Sequence, residues 1–583
     1  METDLQLAPP TTLPPPTQVC IVGGGIAGIV LAHRLASCGV QVALLEAGGH
    51  TSRGETTIAD QPPAESTGHL HHGIAEGQSR VLGGTSLRWG GQLLPLLDTR
   101  AWPIDPTELD PFYTQAESLL GVDHLPFEAT SFFVKARQTS PALLSGISDI
   151  DGWLSKWTPF ARRNLAQTLG RSLLRSPHVH VYLHAQVTEL LSTPDGDHIE
   201  AAIARSPNGN TFRFQAAHFV LAGGTVETVR LMLASRSQSP SGIGNQHDQL
   251  GRNFHDHLTL PAATLTGEAR TRALSELAPW IVRSPLLKFP FVRSRGHSPT
   301  LHSAKLVASA ALCARLGIEP VLAHLTLEEP DGEGVAAIRA LLRARQGKGL
   351  PLAIARNASR LPGAAIQALR LASAMLLQGR RYVSPHAQIK LYLNAAQCTA
   401  QHPTTPGSEV GDKGAGNPHL VSEVSDKGVG APHLASEMWE STNVPTSRIT
   451  LSTTLDPAGM PLAHVDWRIV PCELRTLRRF AAWLRDYLAP QGIHGIHWDP
   501  ALFAADDTPL PTLDDARHTM GGACMGTDPR TSVTDPNLRV HGLDNLHLAS
   551  AATFPTGAAH LPTLPLMALT LRLADRLASL SNP

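Results

Sequence analysis

After a proline-rich start the chain enters an unbroken apolar run, Val19-Cys20-Ile21-Val22, then three glycines, then residues 26–37, where apolar positions recur at helical spacing. A second apolar run over residues 42–45 ends on Glu46. Strand, turn, helix and strand together predict a βαβ unit. Residues 178–191 (HVHVYLHAQVTELL) alternate as a strand does. Residues 219–235 (FVLAGGTVETVRLMLAS) lead from an apolar strand through Gly223 and Gly224 into a helix. Both are expected to supply later strands of the same sheet. Farther on, residues 447–469 read as two strands joined at Asp-Pro-Ala-Gly, and residues 472–489 as a helix. Residues 537–577 read as a strand, a proline-rich turn and a closing helix. The fold class is therefore α/β, or α+β for the chain as a whole.

The 583 residues exceed what one hydrophobic core usually supports, which predicts two domains or one domain with a large elaboration. A hydrophobic content of 42% with 17% charged residues describes a globular protein, and a net charge of -1 gives no reason to expect nucleic acid as a partner. Cys20, Cys38, Cys313, Cys398, Cys472 and Cys524 are scattered without a CxxC pair, which argues against a disulfide framework or a zinc site and fits a reducing compartment. Residues 1–17 are acidic and proline-rich, lack the basic start and apolar centre of a secretory signal, and read as a disordered tail. The best candidate for a membrane span, residues 363–379, is interrupted by Arg370, so a soluble, cytoplasmic protein is expected.

Two stretches carry unusual composition. Residues 339–381 hold nine basic residues and no acidic one, Arg339, Arg343, Arg345, Lys348, Arg356, Arg360, Arg370, Arg380 and Arg381. They read as solvated helix faces, with peripheral contact to an anionic membrane or a partner as the alternative. Residues 408–421 recur almost unchanged as residues 422–435, too polar and glycine-rich to bury a face, and predict a mobile insertion over about residues 400–441. His419 and His433 in the repeat, and His69, His71 and His72 in the run HLHHG, lack neighbouring ligands in sequence, so no metal is expected.

Candidate chemistry concentrates in three glycine-rich places. Gly23, Gly25 and Gly28 have the spacing that lets a backbone approach a pyrophosphate at a helix N-terminus, and Glu46 stands where a carboxylate can accept from a ribose diol. Residues 80–95 (RVLGGTSLRWGGQLLP) place Thr85 and Ser86 after Gly83 and Gly84, a loop able to hydrogen-bond an extended ligand. Residues 516–526 (ARHTMGGACMG) put the titratable His518 just ahead of Gly521 and Gly522. A neutral imidazole there is a candidate proton acceptor.

These motifs, with LGRNFHDH at residues 250–257, MGTDPRTSVTDPNLRVHGLDNLHL at residues 525–548 and WPIDPTELDPFYTQAESLLG at residues 102–121, resemble the glucose–methanol–choline (GMC) oxidoreductases, with a flavour of the bacterial members similar to pyranose oxidases. The resemblance spans both ends of the chain. It implies non-nicotinamide chemistry, with FAD in a Rossmann-like domain built from residues 18–260 and 515–583. It also implies an antiparallel-sheet substrate domain over residues 261–514 that contains the helical insert. By the same resemblance Gly23, Gly25, Gly28 and Glu46 hold the ADP half and Gly83, Gly84, Thr85 and Ser86 lie along the flavin. Val187 is implied near the adenine, Gly223 near the pyrophosphate, and Ser550 and Ala551 at the cofactor. The family oxidises alcohols, often of sugars, by passing hydride to flavin N5 while a histidine takes the proton. That role falls to His518, with Gly521 and Gly522 keeping the backbone clear of the flavin.

The sequence departs from the family at three places. The residue directly before Pro562, usually the second member of a catalytic pair, is Leu561, and His560 one position earlier is the candidate replacement. Ser550 stands where an aspartate is usual. Arg88, not histidine, precedes Trp89, so FAD is expected to be held non-covalently. A flavin-retaining lyase or isomerase and a non-catalytic scaffold are the rival readings, and neither the electron acceptor (oxygen, quinone or cytochrome) nor the oligomeric state is readable.

Overall fold

The computed structural model describes residues 1–50, 64–76, 79–144, 147–281, 300–328, 370, 383, 386–398, 447–491, 493–505 and 508–581. Six parallel strands form one sheet in the order Glu2–Asp4, Val179–Leu183, Val42–Leu45, Thr17–Val22, Ala216–Leu221, Leu546–Leu548. Its inner strands are continuous apolar runs because a parallel sheet is covered on both faces, and Val19, Cys20, Ile21 and Leu44 are fully buried. The helices Ile26–Ser37 and Thr563–Ser581 pack in one apolar cluster against it, so the two ends of the chain share a core.

The outer edge of this sheet corrects the expectation for residues 1–17. Glu2–Asp4 pairs with Val181–Leu183, the terminal ammonium donates to the carbonyl of Val179 at 2.8 Å, and Leu5 is completely buried. An open sheet edge offers unpaired N–H and C=O groups, and three residues suffice to fill it whatever the composition beyond them.

A nine-stranded antiparallel sheet forms the second layer. Its main path runs Ile496–Trp498, His257–Leu265, Gln388–Ala396, Val321–Glu328, Leu301–Ala308, Ile150–Trp157, Gln92–Leu93. Two of these strands, Gln92–Leu93 and Ile150–Trp157, come from inside the stretch expected for the nucleotide domain. One face of this sheet carries Leu306, Ala323, Leu393 and Ala395 into the core beside the helix Pro471–Leu488, and the alternate residues form a polar face.

Residues 186–192 leave the parallel sheet to which their alternation assigned them. His184 adopts a left-handed φ of 52°, the run breaks there, and Gln186–Ser192 forms a meander with Ile199–Arg205 and Thr211–Phe214. The hairpin Arg448–Leu455 and Pro461–Trp467 is joined in parallel by Ala64–Gly68. Cys398 and Cys472, whose separation of 74 residues gave no sign of pairing, are joined as a disulfide where a strand end meets a helix start. Apart from Arg370, the basic residues of 339–381 lie outside the described residues, as do the repeats and their His419 and His433. Among the described residues no helix is long and apolar enough to cross a membrane.

Replacing Leu5 by alanine should cost about 2–5 kcal/mol, the usual range for a buried leucine. Denaturant unfolding measures it, and an unchanged midpoint would return residues 1–17 to the status of a tail.

Candidate active site

The first glycine turn is shaped by the protein before any ligand is considered. Gly23 has φ +110°, and a Cβ there would lie 2.6 Å from the carbonyl oxygen of Ala222. A Cβ on Gly28 would lie 1.9 Å from the carbonyl oxygen of Gly23, so helix and strand could not close. Gly25 differs: a Cβ there would meet nothing nearer than Ala222 O at 4.0 Å, and the helix Ile26–Ser37 starts on it without a side-chain cap. Open space over uncapped helical N–H groups suits a pyrophosphate.

The neighbouring parts close around that opening. The N–H of Gly83 donates to the carbonyl of Gly24 at 2.8 Å, and a Cβ on Gly84 would come 3.0 Å from the Cα of Gly25. Glu46 is buried and accepts from the N–H groups of Gly24 and Gly48, each at 2.9 Å. Burial pushes its carboxyl up while those two donors oppose the rise. Its remaining lone pairs can meet a ribose diol. Val187 is buried two residues beyond Ala185, whose N–H donates to the Glu46 carbonyl. Gly224, with φ +81° and open space around it, follows Gly223 at the start of the helix Thr225–Ala234. These residues fit a dinucleotide.

Two of the expected cofactor-side residues, Ser86 and Ser550, also make hydrogen bonds within the protein. Buried Ser86 donates to the Gly83 carbonyl at 2.6 Å and accepts from Leu165 N–H at 3.1 Å, so it staples the loop; Thr85 beside it is exposed. Ser550 is buried and accepts from Ala552 N–H at 3.1 Å as the cap of the short helix Ala551–Thr553. Ala551 offers its carbonyl to Gly521 N–H at 3.0 Å, tying the His518 loop to the closing segment.

His518 is held by two buried carboxylates. Arg517 takes a left-handed φ of 60°, uncommon for a non-glycine residue, and donates its N–H to Asp515 at 2.9 Å. The N–H of His518 donates to Asp256 at 2.7 Å, and the N–H of His257 donates to the other oxygen of Asp256 at 2.6 Å. Buried His71 bridges the pair, 3.3 Å from Asp256 and 3.5 Å from Asp515. Burial raises the Asp256 carboxyl, but the His71 hydrogen bond and the nearby imidazoles outweigh it and hold the group below the usual carboxylate range.

The imidazole of His518 meets that of His257, Nδ1 to Nδ1, at 3.1 Å. The far nitrogen of His257, Nε2, lies 2.9 Å from the carbonyl oxygen of Gly557, which only accepts. Nε2 of His257 therefore carries the proton, its Nδ1 is a lone pair, and Nδ1 of neutral His518 must donate to it. Nε2 of His518 is left as the basic nitrogen. Burial first, then the charges of His257 and Lys305, push His518 down to about 4, while Asp256 opposes them.

His560 makes no hydrogen bond to His518: it is fully buried, neither ring nitrogen has a partner among the described residues, and its ring centre is 6.3 Å from that of His257, the imidazole that stands beside His518. The side chain of Leu561 instead packs with Val307, Leu322 and Ala559 on the antiparallel sheet. Gly521 and Gly522 answer to the protein itself. Their φ values are +74° and +90°, and a Cβ on Gly521 would lie 2.0 Å from the Asn253 carbonyl oxygen.

Comparison with known proteins finds likeness in both halves of the chain. Residues 21–81 match the NAD(P)-binding Rossmann-like domain family, and residues 444–570 match the family described as GMC oxidoreductase. The chain carries a GMC oxidoreductase domain. It is 32% identical over 133 residues to 6'''-hydroxyparomomycin C oxidase of Streptomyces lividus, covering 23% of each chain. It is 45% identical over 65 residues to the fructose dehydrogenase large subunit of Gluconobacter japonicus, covering 11% of this chain and 12% of that one. The alignments thus span less than a quarter of either relative. Pyridoxine 4-oxidase from Mesorbium loti superposes over 96% of this chain and 99% of its own, with a TM-score of 0.52 at 15% identity, a likeness of fold.

His257, Asp256 and His71 were not read as functional from sequence, although LGRNFHDH and HLHHG contain them. Two outcomes separate the glycines. Gly25→Ala should leave the thermal midpoint nearly unchanged yet lower the flavin retained on purification, read from absorbance. Gly521→Ala should lower the midpoint itself, because its Cβ meets backbone.

Proposed function

We propose that this chain is an FAD-dependent alcohol or sugar oxidoreductase, acting on the CH–OH group of a sugar or another polar alcohol with Nε2 of His518 as the proton acceptor. The chain of imidazoles ending on the Gly557 carbonyl carries this reading, because it leaves one tautomer of His518, with its lone pair on Nε2. Bound FAD supplies the hydride acceptor. With its affinity for protons pushed down to about 4, His518 is neutral at physiological pH. So weak a base does not deprotonate a resting alcohol; it takes the proton as loss of hydride makes the hydroxyl acidic. Asp256, which favours the charged form of His518, then stabilises the imidazolium. The relatives named for oxidising an aminoglycoside and for dehydrogenating fructose support a polar, polyhydroxylated substrate.

His518→Ala should keep its flavin spectrum and lose roughly 10²- to 10⁴-fold in the rate of flavin reduction by substrate, the usual worth of a positioned base. Stopped-flow absorbance under anaerobic conditions measures it, and an unchanged rate would place the base elsewhere. FAD is held without a covalent bond in this reading, because Arg88 stands directly before Trp89. Acid precipitation should leave the yellow colour in the supernatant; colour in the pellet would refute it.

A further inference from the structure

On the polar face of the antiparallel sheet, Lys305 is only 3% exposed. The pairing of these two strands runs over Leu306–Ala323 and Val307–Leu322 and ends one step short of Lys305 and His324, and His324 pairs with Tyr392 on the following strand. Among the described residues no carboxylate lies within 4 Å of the Lys305 amine and no hydrogen bond reaches it. The Nδ1 of His324 is likewise buried without a partner. Of the acids on these strands, Glu328 is already occupied, 2.7 Å from Lys390 and accepting from the Tyr392 hydroxyl at 3.0 Å, and Asp151, across from Val307, is exposed. The same face adjoins the closing segment beside the candidate base, because Val307, two residues from Lys305, packs with Ala559 and Leu561; the Lys305 charge is felt at both His324 and His518. Leu322, the partner of Val307, belongs to the same apolar patch.

A buried ammonium without a counter-charge is costly, and the cost is relieved when a ligand brings the opposite charge. We propose that Lys305 and His324 form a subsite for a carboxylate on the substrate, so that the alcohol oxidised at His518 belongs to the class of hydroxy acids, sugar acids included. This rests on the oxidoreductase reading and narrows it. One ammonium and one neutral imidazole N–H match a single negative charge with two acceptor oxygens; they do not balance a phosphate dianion. Burial pushes the Lys305 amine down to about 7 when no ligand is present, which marks the unmet charge.

Isothermal calorimetry on the FAD-loaded protein tests the subsite without turnover. D-gluconate should bind at least tenfold more tightly than D-glucitol, its neutral counterpart. Lys305→Met, checked for folding by its flavin spectrum, should remove that preference, and Lys305→Arg should keep most of it. Equal binding of the two ligands, a preference that survives in Lys305→Met, or tighter binding of D-glucitol 6-phosphate than of gluconate would overturn the proposal. Failure of flavin reduction by every alcohol would instead strike the oxidoreductase reading, and leave the calorimetric result standing by itself.

Discussion

The carboxylate of Asp256 is the interaction on which the site depends. It is fully buried at the point where the antiparallel sheet meets the glycine loop, and its two oxygens take the backbone N–H groups of His257 and His518. One acid thereby fixes the two imidazoles in mutual register, with His71 holding the acid from behind. Loss of such an acceptor leaves two N–H groups unsatisfied away from water, at about 1–3 kcal/mol each, and releases the turn that Arg517 adopts only under constraint. Asp256 thus fixes the position of His518 and opposes the burial that lowers its proton affinity.

The glycines around the site obey a related rule. Most of them are demanded by contacts within the protein, as at Gly23, Gly28 and Gly521, where a Cβ would meet a carbonyl oxygen. Gly25 and Gly224 are the ones facing open space, and they mark where a ligand's phosphates have room. A glycine-rich stretch in sequence mixes these two kinds. Only the neighbouring backbone tells them apart.

Much of the architecture was legible because it is written in local pattern. The apolar run at residues 19–22, the helix after it and Glu46 at the end of the next run are consecutive, so their meaning does not depend on distant contacts. The alternation over residues 178–191 was legible as strand but not as two sheets, since the break at His184 is a single backbone angle. Ser86 reads as a cofactor contact from its place beside glycines and Ser550 from the resemblance, and only the fold shows that Ser86 also staples its loop and Ser550 also caps a short helix. The short N-terminal strand was missed because its partner lies about 180 residues away.

The sequence by itself determined the βαβ unit, the hairpin at residues 447–469 and the closing helix, and it singled out His518 as a candidate; all of these rest on residues near one another in the chain. The tertiary structure alone decided which imidazole stands beside His518, choosing His257 at 3.1 Å over His560. It also decided that Lys305 lies buried in the antiparallel sheet and that Gly521 yields to the Asn253 carbonyl. Each of those outcomes is set by strand register or by a turn meeting a distant backbone. The physical reason is that folding brings together groups whose separation along the chain carries no signal, and their charges and hydrogen bonds exist only once they meet.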